Sequence, residues 1–305
     1  MSRYSNLFAT VLTYAAPSSN YRGESEENRT VLQKITRGGH QYTVISPESM
    51  RNALREILAR KGLPMNRRRL HDEEQLAVEF RDFPNAETYA DDFLFGFLVA
   101  DTKVMKAKKL PAKRDSLLRM NLAVALSPYR FDATFHQSPL NAGASPWKNA
   151  GTSALLHREV VHTAYQYPFA LSLADCAAHA QGPAWTRALL EAIGELSDVA
   201  GGHARSYFEM SPKSVVARLT PRLVAGFDTY GFSPRKDNPE HEDFRELDRV
   251  HDGDLPGNEL WIGGALARTM DDARKARLES QGVRFYNSPQ ALLRDLATTA
   301  LEARA

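Results

Sequence analysis

The sequence contains very little cysteine and no long hydrophobic run. A single cysteine, Cys176, excludes an intramolecular disulfide and any cysteine-rich metal site. No stretch of about 18 apolar residues occurs, so the sequence predicts no transmembrane helix and no membrane partner. The first ten residues, MSRYSNLFAT, lack the continuous apolar segment of a secretory signal. We therefore expect a cytoplasmic protein.

Sequence motifs of several common enzyme classes are also missing. Neither the phosphate-binding pattern GxxxxGK[ST] nor the pattern GxSxG is present. His157 and His162 are five residues apart and Arg158 follows the first of them, so the zinc-protease pattern HExxH is not met. The acidic segment 248–258 does not match a calcium-binding EF-hand loop. We expect no metal, no other cofactor and no catalytic residue.

The charges are nearly balanced, with 39 Lys and Arg against 37 Asp and Glu. This balance neither requires nor excludes a nucleic-acid partner, so the local distribution of charge has to decide. The densest basic run spans residues 101–120 and contains no aromatic residue. Such a run predicts attraction to phosphates without base stacking, although a plain solvated surface has the same composition.

The most informative stretch covers residues 41–60, QYTVISPESMRNALREILAR. Residues 42–45 predict a short strand that leads directly into a helix, with Ser46 as the N-cap and Pro47 at the first helical position. Apolar residues at helical spacing predict one buried stripe. The members of this stripe are Met50, Ala53, Leu54, Ile57 and Leu58.

Polar groups are concentrated on the other side of the same helix start. Ser49, Arg51, Asn52 and Arg55 all lie within its first turns. Free backbone N–H groups, hydroxyls, an amide and guanidiniums at one helix N-terminus favour binding of an oxyanion such as phosphate. An ordinary amphipathic helix with a solvated polar face would show the same pattern.

The flanking segments predict a mixture of strands, turns and helices. Residues 6–14 predict a strand and residues 15–30 a polar loop. Residues 30–35 and 42–45 predict a hairpin around Arg-Gly-Gly-His. The apolar segment 90–100, which begins with a double Asp, predicts a buried helix or strand.

The second half begins with a long segment, 127–153, rich in Pro, Ser, Gly and Asn, and such long connections tend to be functional or disordered. Residues 155–173 predict a strand, to which residues 127–135 would supply the other arm of a hairpin. Residues 183–199 predict a helix. The remaining predicted elements are strands at 215–219, 223–232, 259–262 and 283–286, and helices at 265–281 and after Pro289.

The helix start resembles that of a known family. A strand leading into these serines and arginines is similar to the first strand-to-helix turn of the backbone subunit of type I CRISPR interference complexes (Cascade). More narrowly, it resembles the DevR-type branch of type I-A and I-B systems. In that family this helix start binds the backbone of the CRISPR RNA (crRNA). The chain departs from the commoner pattern at Pro47-Glu48, where the family has Ser-Gln, and at Arg51-Asn52, where it has Lys-Arg.

The resemblance implies an α+β fold with an RRM-like (ferredoxin-like) antiparallel sheet core, insertions and a protruding β-hairpin thumb. Residues 1–305 would form a single RRM-like palm domain. A fingers-like insertion would lie at about residues 62–110, and the thumb hairpin at about residues 131–158. In the family, the thumb folds over the RNA of the neighbouring subunit and displaces one base from the stack.

The resemblance also assigns candidate RNA-binding residues. They lie in the polar loop, at the helix start, in the thumb and after the Gly201-Gly202 turn. The full set is Asn20, Arg22, Ser46, Ser49, Arg51, Asn52, Arg55, Phe135, His136, Trp147, Lys148, Arg158 and Arg205.

The implied function is that of a binding scaffold in antiviral defence and not of an enzyme. Several copies would assemble head to tail along one crRNA and present it for pairing with the target DNA strand. The implied partners are further copies of the chain and the other Cascade subunits, namely the large subunit, the subunit capping the 5′ handle and the repeat-cleaving endonuclease.

Two alternatives remain open at the level of sequence. Related backbone subunits of type III systems are metal-dependent ribonucleases that use an Asp near the thumb, and Asp132 lies near such a position. The other alternative is a general RNA-binding RRM protein, against which the absence of the RNP1 aromatic pattern counts.

Overall fold

The computed structural model of the chain describes most of the sequence. The described residues are 5–18, 25–26, 29–71, 76–137, 155–199, 209–235, 237–238 and 241–302.

The strands of the described part are, in chain order, β1 (Asn6–Thr13), β2 (Ala16–Ser18), β3 (Ser25–Glu26), β4 (Arg29–Thr30), β5 (Lys34–Arg37), β6 (His40–Ile45), β7 (Arg67–His71), β8 (Leu76–Phe80), β9 (Phe97–Leu98), β10 (Lys113–Arg114), β11 (Leu118–Met120), β12 (Ala123–Ala125), β13 (Ala133–Gln137), β14 (Leu155–Glu159), β15 (Val161–Thr163), β16 (Tyr165–Ser172), β17 (Pro212–Thr220), β18 (Phe232–Pro234), β19 (Glu242–Phe244), β20 (Leu260–Gly264) and β21 (Arg284–Tyr286). The helices are α1 (Pro47–Arg60), α2 (Ala90–Phe95), α3 (Thr102–Ala107), α4 (Leu173–Cys176), α5 (Gly182–Gly194), α6 (Asp248–His251), α7 (Ala265–Thr269), α8 (Asp272–Ser280) and α9 (Pro289–Glu302), with 3-10 turns at Arg245–Leu247 and Gly257–Glu259.

A nine-stranded sheet forms the centre of the molecule. Its strands follow the order β21-β20-β17-β1-β16-β12-β6-β5, and β11 also pairs with β16. Neighbouring strands are antiparallel except for the parallel pair β20 and β21. In the sequence, α1 lies between β1 and β12, and α5 lies between β16 and β17. This arrangement confirms the predicted α+β class.

The two faces of the sheet are buried by different parts of the chain. Leu7, Ala9 and Val11 alternate along β1 and pack into one core together with residues of α1, α5 and α9. Leu12 and Val216 belong to a second core, which the segment from β18 to β21 covers. Helices α1, α5 and α9 therefore cover one face, and the segment from β18 to β21 covers the other.

The strand-to-helix segment folds as its sequence predicts. β6 ends at Ile45 and α1 starts at Pro47, with Ser46 as the N-cap. All five residues of the predicted apolar stripe are buried. The predicted hairpin is also confirmed, because β5 pairs with β6 and the turn places Gly38 and Gly39 at positive φ, which glycine adopts without steric cost.

Three predictions for the C-terminal half are wrong. The expected strand 223–232 is a turn-rich loop that becomes strand only at Phe232, and Leu223 is 85% exposed. The expected helix 265–281 is divided into α7 and α8, because the carboxylate of Asp271 accepts the N–H of Arg274 at 3.0 Å and starts a new helix. The expected single strand 155–173 is likewise divided into β14, β15 and β16, which pair with different partners.

Candidate nucleic-acid interface

The start of α1 is held by a serine pair. The Oγ atom of Ser46 accepts the N–H of Ser49 at 3.3 Å and lies 3.0 Å from the Ser49 hydroxyl. Ser46 is buried, whereas Ser49 is half-buried. The first serine therefore acts as the helix cap, and the second remains partly accessible at the helix start.

Arg51 joins α1 to the central sheet. Its Nη2 atom donates to the backbone oxygen of Leu118 in β11 at 3.3 Å. Burial lowers the pKa of Arg51 from its ordinary value, Glu48 opposes this effect, and the charge of Arg119 adds to it. Within the described residues, the Arg51 Nε atom has no hydrogen-bond partner. A partly desolvated cation therefore stands beside the helix start.

Arg55 lies in a different environment from the one its helical position predicts. Only 8% of the residue is exposed, and its guanidinium carbon lies 4.6 Å from the centroid of the Phe95 ring. Its Nη1 atom donates to Asn52 Oδ1 at 2.9 Å. Burial lowers the pKa of Arg55 to about 10, and the nearby charge of Arg67 contributes to the shift. Arg55 is thus buried and orients Asn52 through this hydrogen bond, instead of lying on an exposed polar face.

Two buried carboxylates stabilise the segment next to these arginines. Asp91 accepts the backbone N–H groups of Asn66 and Arg67, each at 2.8 Å. Asp92 accepts from Asn66 Nδ2 at 2.8 Å and from the backbone of Asn85 at 2.9 Å, while burial raises its pKa. Sequence reasoning did not assign this network to the site, although a double Asp at the start of an apolar segment was the available signal.

The arginines at this place repel one another. The charges of Arg67 and Arg51 both lower the pKa of Arg55, and those of Asp91 and Asp92 raise it. The acids therefore balance part of the crowded positive charge. Arg51 is the member of this group nearest to the helix N-terminus, whose own dipole is positive and favours anions.

The second group of predicted site residues lies on a hairpin. β13 and β14 pair in antiparallel register, with Phe135 opposite His157 and Thr134 opposite Arg158. The rings of Phe135 and His157 meet edge to face at 5.2 Å. Phe135 is 56% exposed, and Phe131 just before the strand is 61% exposed, so two aromatic faces are presented at the surface. Sequence reasoning did not include Phe131 among the site residues.

The remaining predicted contacts can be located only in part. The backbone of His136 lies in β13 opposite Leu156. Five of the predicted residues lie outside the described residues, namely Asn20, Arg22, Trp147, Lys148 and Arg205.

The basic run 101–120 has a mixed character. Lys103 and Lys106 are exposed on α3, whereas Arg114 is half-buried with its guanidinium 5.3 Å from the centroid of the Phe93 ring. The Lys108 ammonium lies 4.6 Å from the centroid of the Phe83 ring. Part of this run therefore packs on aromatic residues, and only the rest forms a solvated basic surface.

Asp132, the residue that the ribonuclease alternative requires, lies directly before β13 and binds the backbone of the next residue. Its Oδ1 atom accepts the N–H of Ala133 at 2.8 Å, and the residue is exposed. No group of three His, Cys, Asp or Glu residues placed to hold a metal ion is found in the described part of the chain. None of the described helices has the length and apolar character needed to cross a membrane.

Solved structures share this fold over nearly the whole chain. One chain, from a structure described as a CRISPR RNA-guided surveillance complex in its pre-nicking state, matches with a TM-score of 0.64 and 12% identity; the match covers 97% of this chain and 100% of that one. A second, from a CRISPR RNA-guided surveillance complex, matches with a TM-score of 0.58, 14% identity and the same coverage. These likenesses define the class of fold.

The sequence comparison defines the family. The chain is 34% identical over 274 residues to a protein of Myxococcus xanthus (strain DK1622) described as CRISPR-associated protein Cas7/Cst2/DevR. The match covers 86% of this chain and 87% of the relative. The chain belongs to the Cas7/Cst2/DevR family of CRISPR-associated proteins, as the resemblance of its helix start predicts. No protein-family model matches the sequence.

Proposed function

We propose that this protein is the crRNA-binding backbone subunit of a type I CRISPR interference (Cascade) complex. The observation that carries the proposal is the partly buried cation of Arg51 in the first turns of the capped helix α1, with the charges of Arg55 and Arg67 crowded further along it. Such a site suits a phosphate backbone, since it offers positive charge and backbone N–H groups without a pocket for a particular base. Family membership and the shared fold support the same function.

Within this site the residues have distinct parts. Ser49, Arg51 and Asn52 supply the polar groups that would contact the RNA, because all three remain partly exposed. Ser46 caps the helix, and Arg55 holds Asn52. The remaining candidates stay proposed contacts, and they are Asn20, Arg22, Phe135, His136, Trp147, Lys148, Arg158 and Arg205.

The finer fold proposed is an RRM-like palm with two additions. The antiparallel order β17-β1-β16-β12, with α1 and α5 as the two crossing helices, supports the RRM-like description. Residues of about 62–110, which include α2 and α3, would form the fingers-like insertion. The pairing of β13 with β14 supports a thumb at about residues 131–158.

The proposed assembly is an open row of copies along one crRNA. Exposed Phe131 and Phe135 would let the thumb of one copy stack against a base of the RNA held by the next. The stretches between displaced bases would stay available for pairing with the target DNA strand, so that the guide supplies sequence specificity. The other Cascade subunits would join this row in the cytoplasm, where the guide RNA is transcribed.

The first prediction concerns the phosphate contact of Arg51. Replacing Arg51 by alanine is expected to weaken binding of single-stranded RNA and to reduce the slope of log affinity against log salt by about 0.7, the value for one lost phosphate contact on a single strand. Affinities measured across a range of salt concentrations give this slope directly.

The control for this experiment lies on the same helix. Arg60 in the last turn of α1 is exposed and only 3.7 Å from Asp198, so Arg60→Ala removes an equal charge far from the helix start. An unchanged slope for Arg51→Ala, or an equal change for both variants, would count against RNA binding at the helix start. An unmutated protein that binds no RNA would overturn the proposed function itself.

We also propose that the protein has no nuclease activity. The Asp132 carboxylate accepts the N–H of the next residue, Ala133, which supports a structural role for this side chain. The unmutated protein and Asp132→Ala are therefore both expected to leave bound RNA intact over a long incubation with Mg²⁺ or Mn²⁺. RNA cleavage by the unmutated protein that the variant loses would instead favour the ribonuclease alternative.

A further inference from the structure

A buried ion pair lies at the base of the β13–β14 hairpin. Glu159, the last residue of β14, is 3% exposed, and its Oε2 atom accepts the N–H of Leu32 at 2.9 Å and the ammonium of Lys34 at 2.8 Å. The Lys34 ammonium also lies 4.4 Å from the centroid of the Tyr129 ring. One carboxylate therefore connects the end of the hairpin to the start of β5.

Backbone hydrogen bonds hold the two segments of the chain that enter and leave the hairpin. The N–H of Val160 donates to the oxygen of Asp132 at 3.0 Å and closes the hairpin on itself. The N–H of Tyr129 donates to the oxygen of Gln41 in β6 at 2.7 Å. The chain that enters the hairpin is thus attached to β6, and the chain that leaves it is attached to β5 through Glu159.

β5 and β6, to which the base of the hairpin is attached, also support the proposed phosphate-binding site at the start of α1. β5 pairs with β6, and β6 runs through Ile45 and the Ser46 cap into α1. β12, which precedes the hairpin in the sequence, pairs with β6 opposite Ile45. The hairpin and the start of α1 are therefore both attached to the β5–β6 pair.

We infer that Lys34 and Glu159 are positioning residues, which fix the direction of the thumb relative to the start of α1 before RNA binds. The N–H of Leu32 and the ammonium of Lys34 both donate to the buried Oε2 atom of Glu159. A rotation of the hairpin about its base would therefore break both bonds together. Such a rotation would leave a buried ammonium and a buried carboxylate uncompensated, which is strongly unfavourable. This inference rests on the proposed function, in which the direction of the thumb decides which RNA base is displaced from the stack.

The test uses the unmutated protein and Glu159→Gln, each assembled on a guide RNA of several copy lengths. Glutamine keeps the size of the side chain and an acceptor for Leu32 but removes the charge that binds Lys34. Chemical reactivity of the RNA bases reports the ones displaced from the stack. We expect regularly spaced reactive bases with the unmutated protein, and loss of that regular pattern with the variant at unchanged affinity and copy number.

The matched control is Glu242→Gln. Glu242 binds the Lys213 ammonium at 2.6 and 2.7 Å, and the two side chains are 14% and 18% exposed, close to the 4% and 14% of Glu159 and Lys34. This pair joins β17 to β19 and lies outside the hairpin base. The control is expected to keep the regular pattern of the unmutated protein.

A second variant, Lys34→Met, removes the other partner and keeps the Leu32 bond, so it tests the inference even where Glu159→Gln fails to fold. A regular pattern that survives in the folded variants would overturn the inference and leave the proposed function standing. Absence of RNA binding or of any regular pattern in the unmutated protein would overturn the proposed function and the inference with it.

Discussion

Replacing Arg218 by methionine is expected to lower the free energy of unfolding by about 3–5 kcal/mol, the usual effect of removing one partner of a buried ion pair. Arg218 is 2% exposed in the middle of the central sheet. Its Nε and Nη2 atoms both lie 2.8 Å from Glu259 Oε2, and Nη1 donates to the backbone oxygen of Ala225. Methionine would fill the space but leave the Glu259 carboxylate without its cation.

Denaturant unfolding of both proteins measures this difference. Arg60→Met is the control, because the exposed pair of Arg60 with Asp198 should contribute only about 0–1 kcal/mol. The double variant Arg218→Met/Glu259→Leu should recover most of the lost stability, since neither charge then remains buried alone. A loss for Arg218→Met no larger than that of the control would show that the pair does not stabilise the sheet.

The second large effect is expected at Arg55. Arg55→Ala should lower the free energy of unfolding by about 2–4 kcal/mol, as for other large side chains removed from a core, because the stem covers Phe95 and the guanidinium holds Asn52. Arg55→Met should lose less. Its stem still packs on Phe95, and it no longer buries a cation whose pKa the folded state lowers to about 10.

RNA binding by Arg55→Met then separates support from direct contact. If Arg55 acts by orienting Asn52, the affinity for single-stranded RNA should fall while the salt slope stays that of the unmutated protein. A slope reduced by about 0.7, as expected for Arg51→Ala, would mean that the Arg55 guanidinium itself binds a phosphate. Both variants are compared at the same salt concentrations, so the two outcomes are distinct.

The first strand and the segment from the β5–β6 hairpin to the end of α1 could be predicted from the sequence because the rules that govern them are local. The cap at Ser46, the proline at the first position of α1 and the glycines of the β5–β6 turn each act within about four residues of the chain. The apolar stripe of α1 also depends only on helical spacing. The strand, the helix and the polar residues at its start therefore followed from the sequence.

The C-terminal half was harder because local and tertiary preferences compete there. The apolar residues Leu223 and Val224 favour a strand, yet the loop lies over Arg218, and the oxygen of Ala225 accepts its Nη1 hydrogen. A helical pattern continues through residues 265–281, yet the carboxylate of Asp271 starts a new helix within it. In both places a polar contact accompanies the change in the backbone path.

The sequence by itself determined the family, the capped helix start and the presence of arginines beside it. Only the tertiary structure decided what each arginine does. Helical spacing places Arg51 and Arg55 one turn apart, but Phe95 buries one of them and Leu118 binds the other. Lys34 and Glu159 are separated by 125 residues, so no local pattern could pair them. Partners distant in the chain meet only when the whole sheet has formed, and burial, which sets the strength of their interaction, is a property of that fold.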